Sequence, residues 1–210
     1  MYRISLILVL LASFSSYGQP SGFSAIQDVE TFKKQFALQS AKVTSIKSDF
    51  VQEKTLTLLT EKIVSKGDFL FKRNNKVRIE YKIPYSYLLI INGDQMISKD
   101  GEKESRINLS SNKMLRQVNR IIVDCVQGTI LDNKDFSVKI SENATAYRLE
   151  LTPQNKVMKE FFQSIHIVME RSDYSVSVIE MNESGGDRTV MRFTNKQFNS
   201  AINDEVFTSH

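Results

Sequence analysis

The sequence predicts a mainly β protein with helices, an α+β fold built on one long antiparallel sheet. Three observations carry this. Apolar residues alternate with period two through most of the chain from residue 46 onward. Short turns rich in Asn, Gly, Asp and Ser separate these runs, which suits hairpins between antiparallel neighbours better than crossovers in a parallel sheet. Two segments, 24–41 and 111–127, switch to a period of three to four and read as amphipathic helices.

The first residues read as a cleavable export signal. Arg3 supplies the positive start, Ile4 to Phe14 the apolar core, and Ser16-Tyr17-Gly18 the small residues that favour cleavage after Gly18. That core is shorter than the roughly 20 residues needed to span a bilayer, so 1–18 is expected to be a signal peptide and not an anchor. No Cys follows it, so a lipid-anchored form is not expected. Residues 19–210 then form a single domain that works outside the cytoplasm. Losing Arg3 takes the formal charge from +4 to +3, with both signs mixed along the chain, which argues against nucleic acid as a partner.

Ser24-Ala25-Ile26-Gln27 has capping-box spacing, and Ile26, Val29, Phe32 and Phe36 follow at helical intervals around Lys33 and Lys34. Alternation begins at Ile46, Ser48 and Phe50, continues at Phe69 and Phe71, and returns at Val77, Ile79 and Tyr81. Tyr87-Leu88-Leu89-Ile90-Ile91 is continuously apolar, as in a strand covered on both faces. Asn92-Gly93-Asp94 is a hairpin turn leading to a strand from Gln95 to Ser98, and Asp100-Gly101 marks another turn. Ser110 or Ser111 caps the second helix, whose apolar positions are Met114, Leu115, Val118, Ile122 and Cys125, and Gly128 closes it. Strands resume at 136–140, at Tyr147, Leu149 and Leu151, at Ile165, Ile167 and Met169, at 175–181 and at 189–194. Ser184-Gly185-Gly186-Asp187 turns between the last two.

Reactive groups are scarce. The chain holds two His and one Cys. His166 alternates with Ile165 and Ile167 and so faces away from them, while His210 is the last residue; neither has metal-ligand spacing. There is no Gly-rich phosphate loop and no nucleophile elbow. Asp49 and Glu53 share one side of a strand, as solvated carboxylates commonly do. Cys125 sits on an apolar helix face as a small hydrophobe. No enzyme, no metal and no cofactor is expected. What remains is apolar surface: a sheet of this length must curl, and its concave side either fills with side chains or holds a greasy ligand. Composition leaves both open.

Ser48-Asp49-Phe50-Val51-Gln52, then Lys66-Gly67-Asp68-Phe69-Leu70-Phe71-Lys72-Arg73, then Val77-Arg78-Ile79-Glu80-Tyr81 with Pro84, then Leu88 to Ile91 with Asn92-Gly93, resembles the outer-membrane lipoprotein carriers of the LolA family. The likeness is clearest over 46–101, with a weaker echo from Phe198-Asn199 to Asp204-Glu205-Val206-Phe207. It implies an open, incomplete antiparallel β-barrel with an apolar concavity covered by a helical lid, working in the periplasm. It further implies a monomeric carrier that binds acyl chains of lipoproteins or lipids, takes them from an inner-membrane release complex and gives them to an outer-membrane acceptor. The alternative expectation is that this chain uses the same fold as a sensor or adaptor that detects mislocalised lipoproteins or regulates an envelope membrane protein. By resemblance, Phe50, Phe69, Phe71, Ile79, Tyr81, Leu89 and Ile91 are candidate cavity walls, though which alternating set points inward stays open. The 111–127 helix is the candidate lid through Met114, Leu115, Val118 and Ile122. Arg73 matches the family's lid latch, bonding to backbone carbonyls of the lid. Two departures stand out: Asn74-Asn75 follows Arg73 where many members have Pro, and the chain has no Trp.

Overall fold

The computed structural model describes residues 22–58 and 61–209. The signal expected at 1–18 lies outside the described residues. These form twelve strands, β1 (Ser24–Ala25), β2 (Ser45–Thr55), β3 (Lys62–Lys72), β4 (Lys76–Ile83), β5 (Tyr87–Asn92), β6 (Gln95–Asp100), β7 (Lys103–Asn108), β8 (Phe136–Glu142), β9 (Ala146–Pro153), β10 (Phe162–Glu170), β11 (Val176–Glu183) and β12 (Arg188–Phe198). Three α-helices join them: α1 (Val29–Ser40), α2 (Lys113–Gln127) and α3 (Lys156–Phe161). No helix among the described residues is long and apolar enough to cross a membrane.

All strands lie in one antiparallel sheet, ordered β1-β8-β9-β10-β11-β12-β2-β3-β4-β5-β6-β7. Two meanders, β2 to β7 and β8 to β12, therefore meet at a seam where β12 pairs with β2. The sheet does not close: β1 and β7 are its two edges.

Helix α1 starts later than the capping box predicts. Asp28 is the cap, its Oδ1 accepting the Thr31 N–H at 2.9 Å. Those hydrogen bonds from Thr31 hold the Asp28 carboxyl below the usual carboxylate range. Ser24-Ala25 instead pairs with Glu142 and Ser141 as the short edge strand β1. Val29 is consequently exposed, against expectation, while Phe32 and Phe36 are buried. The second helix also begins late. Ser110 and Ser111 belong to a 3-10 turn, Leu109–Ser111, and Asn112 caps α2 by accepting the Leu115 N–H at 3.0 Å. Gly128 closes it at φ 75°. A side chain there would press on Ser40 of α1, its Cβ only 2.9 Å from the Ser40 hydroxyl oxygen. Strand β7 and helix α3 escaped the sequence reading; β7 is an exposed edge rich in charge with no apolar alternation to reveal it.

Three apolar clusters hold the fold. One joins Phe32 and Phe36 of α1 to Tyr147, Leu149, Ile165 and Ile167 of β9 and β10. A second gathers Phe50, Phe69, Phe71, Val77, Ile79 and Ile91 on β2 to β5. The third lies on the opposite face of β5 and β6, where Ile90 and Ile97 meet Ile202 and Phe207 of the C-terminal segment. That cover explains the unbroken apolar run of β5: Ile91 faces the second cluster and Ile90 the third. Helix α2 spans the first two clusters, giving Ile121 and Cys125 to one and Leu115, Ile122 and Val126 to the other.

Candidate functional site

Between those two clusters the concave face is not filled. An apolar cavity of about 380 Å³ remains beneath α2, within the roughly 300–1,000 Å³ typical of small-molecule sites. Val118, Ile121, Ile122, Cys125 and Val126 of α2 form its roof. One wall comes from β2 to β4, through Ile46, Ser48, Gln52, Phe69, Ile79 and Tyr81. The other comes from β10 to β12, through Phe162, Ile165, Ile179, Met181, Met191 and Phe193. The end of α1 with Lys42 and Val43, the turn Asp173 to Ser175, and Lys196 and Phe198 complete the lining.

The alternation left open in the sequence is now assigned. Even-numbered residues of β2 and odd-numbered residues of β3 and β4 point inward. Of the expected wall residues, Phe69, Ile79 and Tyr81 line the cavity, as do Val118 and Ile122 of the helix. Phe50, Phe71 and Ile91 are instead fully packed within the second cluster, with Leu89 and Leu115 packed against it. Phe50 points inward but is spent on its neighbours. Its ring lies edge-on to Tyr81, 5.0 Å between centroids, and covers Gly67, where an added Cβ would sit 2.9 Å from it. Met114, in the first turn of α2, is half-buried and off the cavity lining.

Sequence reasoning missed the β10 to β12 wall. Its residues alternate as clearly as those of β2 to β4, so the signal was present; what was hidden is the seam that brings two distant meanders to face one space.

Polar groups in the cavity are few. Tyr81 donates its hydroxyl to Gln52 Oε1 at 2.9 Å, and burial, with the nearby Tyr87, pushes its phenol up to about 12. Burial, then a hydrogen bond and charge interaction with Tyr147, likewise raise Tyr174 to about 12. Burial drives the Cys125 thiol well above its ordinary range, so it stays protonated and behaves as a hydrophobe. Outside the cavity His166 Nδ1 stands 3.8 Å from Glu180 Oε1. Among the described residues no group of His, Cys, Asp and Glu could hold a metal ion.

The turn joining β3 and β4 holds both helices. Arg73 donates from Nε to the Val43 carbonyl at 2.6 Å, and from Nη2 to the Ala41 carbonyl at 2.7 Å and the Ser40 carbonyl at 3.3 Å. These are the last carbonyls of α1 and the link after it, where a cation is favoured by the helix dipole. Arg73 thus grips the end of α1, not the 111–127 helix. That helix is held by Asn75, whose Oδ1 accepts the Asn119 amide at 3.1 Å while its Nδ2 donates to the Gly93 carbonyl at 2.7 Å. Asn74 and Asn75 both sit at positive φ, 68° and 55°. Proline, with φ near −65°, has no place at either position of this turn.

An open antiparallel sheet wrapped on an apolar cavity under two helices agrees with one sequence family. The family model for the outer membrane lipoprotein carrier protein LolA matches residues 41–210.

The chain belongs to the LolA family.

The matched stretch contains all of the sheet except β1, and it contains α2 and Arg73. Solved structures with a similar fold include an uncharacterized conserved protein from Thermus thermophilus, at 7% identity and TM-score 0.53, covering 86% of this chain and 93% of that one. A LolA superfamily protein from Nitrosomonas europaea is 11% identical at TM-score 0.46, covering 84% and 97%. The lipoprotein LppX of Mycobacterium tuberculosis is 14% identical at TM-score 0.44, covering 82% and 96%. At 7% identity the likeness to the Thermus thermophilus protein is one of fold. No curated protein matches the chain.

Proposed function

We propose that residues 19–210, freed of a leader at 1–18, form a single-domain periplasmic carrier. It takes acyl chains of lipoproteins or lipids into the cavity under α2 and delivers them to the outer membrane. The observation that carries this reading is the cavity itself: a LolA-family sheet whose two walls and helical roof are apolar but not packed together. Each methylene moved from water into such a space contributes about 0.8 kcal/mol, so a chain of modest length is held without any reaction or cofactor. In this reading α2 is the lid and Arg73 the latch, acting through the end of α1. A release complex on the inner membrane and an acceptor on the outer membrane are the partners, and the carrier is a monomer.

Protein isolated gently from its host is expected to carry lipoprotein or lipid, detected by native mass spectrometry. Val118→Glu, which puts a carboxylate into the roof, should lower retained cargo severalfold while the circular dichroism spectrum stays that of the parent. A cavity that is empty on isolation and takes up no acylated peptide would sink the proposal. A stable envelope-protein partner with no transfer of cargo would point to the sensor or adaptor role instead.

A further inference from the structure

Strand β12 carries one extra residue beside the seam. Thr194 pairs with Asp49 and Gln197 with Lys47, so Asn195 and Lys196 together oppose Ser48 alone. Asn195 takes φ 52°, and its amide donates to Asp49 Oδ2 at 2.6 Å, fixing the bulge. Before it, Met191 and Phe193 face the cavity; after it, Lys196 and Phe198 do. Regular alternation would have turned Asn195 and Gln197 inward. The inserted residue re-aims the strand so that a lysine enters an apolar chamber.

Lys196 is half-buried there, with neutral partners only: Nζ donates to Ser175 Oγ at 2.6 Å and to the Val176 carbonyl at 3.3 Å. Among the described residues no carboxylate is ion-paired with it. Asp173, also on the lining, accepts the Ser175 N–H at 2.9 Å. Lys42, at the same end, bonds to Gln39 at 3.1 Å. An ammonium has three donors, so one remains after these two bonds. Directly across the bulge, Ser48 lines the same cavity, and its buried hydroxyl has no hydrogen-bond partner among the described residues. Lys196, a cation lacking a counter-ion, and Ser48, an unsatisfied hydroxyl on the neighbouring strand, both line this apolar space, a combination that suits a ligand with a greasy tail and an anionic head.

We propose that the cargo cavity selects acyl chains with an anionic head, a carboxylate or a phosphate, with Lys196 as counter-ion and Ser48 as a second donor. This rests on the acyl-chain reading above and narrows it to its lipid arm, because acyl chains esterified or amide-linked to a lipoprotein carry no such head. A charge-assisted hydrogen bond is stronger than a neutral one.

The test is calorimetric titration of the full chain with dodecanoate, dodecyl phosphate and dodecanol, which share one tail. At least one anion should bind about tenfold tighter than the alcohol, the scale of a hydrogen bond to a charged group. The tighter of the two anions identifies the source as a fatty acid or a phosphate-headed lipid. Lys196→Met should erase the difference between anion and alcohol, and Ser48→Ala should reduce it by a smaller factor. Equal affinity for all three ligands in the parent overturns the inference and leaves acyl binding intact. A preference that persists in a folded Lys196→Met variant overturns the role of Lys196. Binding of none of the three overturns this inference, and failure to take up an acylated peptide as well overturns the reading beneath it.

Discussion

The two helices over the cavity are built on different terms. Helix α1 drives Phe32 and Phe36 into the first cluster, where Phe32 meets the Tyr147 ring edge-on at 4.7 Å and Tyr174 at 5.7 Å. Its start is capped by Asp28 and its final carbonyls are taken by Arg73. Helix α2 turns half-buried Val118, Ile122 and Val126 toward open volume, and the buried side-chain oxygens of Gln117 and Asn119 have no partner among the described residues. On these contacts α1 is expected to be held as firmly as the walls and α2 to have the lower local stability that the proposed lid role requires.

Removing the packing of α1 is the severest way to break this contrast. Phe36→Ala should cost about 3–5 kcal/mol in urea denaturation, because a fully buried ring is lost from a closed cluster. Ile122→Ala, at the edge of empty space, should cost far less; equal losses would show that the two helices are packed alike. Next in size is Asn75→Gly, which keeps the positive φ but removes both side-chain bonds. With the Asn119 amide left buried and unpaired, a cost of about 1–3 kcal/mol is expected. Hydrogen exchange should rise in α2 and not in α1. Arg73→Leu should give the reverse pattern, with faster exchange at the end of α1 and a stability loss of about 1 kcal/mol, since the guanidinium is exposed. If α2 is the segment that loosens in Arg73→Leu, the division of the latch between the two helices is wrong. The smallest effect concerns pH. The folded carboxyl of Asp28 lies below its ordinary 3.8, so it contributes stability above that value which is lost as pH falls through the folded pKa. Asp28→Asn keeps a capping oxygen and should flatten that acid-side dependence, read as the difference in thermal midpoint between neutral solution and one more acid than the folded pKa.

Much of this was legible in the sequence, and the gaps have physical reasons. Alternation at Phe69, Ile79 and Tyr81 and the stripe of α2 announced a sheet and a covering helix, because both follow from periods that a single strand or helix imposes. Contacts between distant elements were not legible. Arg73 could be matched to a latch, but which helix it holds depends on the packing that brings the end of α1 beside the turn after β3, a contact between residues about thirty apart that no local period marks. Phe50 and Tyr81 share the inner face, yet only Tyr81 reaches the cavity, since Phe50 fills the space above Gly67. The polarity of Lys196 was invisible for a further reason: one extra residue inverts the alternation, and no local pattern marks where.

The seam between β12 and β2 also bears on how the chain assembles. Each meander is made of sequence neighbours and can zip locally, but the sheet becomes continuous only when the last long strand finds the first, across a loop of well over a hundred residues. Until then β2 carries an unpaired edge and the two cavity walls have no fixed distance between them. The compartment for a ligand is therefore a late product of folding, and a chain cut before β12 keeps two half-sheets, a sticky border and no container.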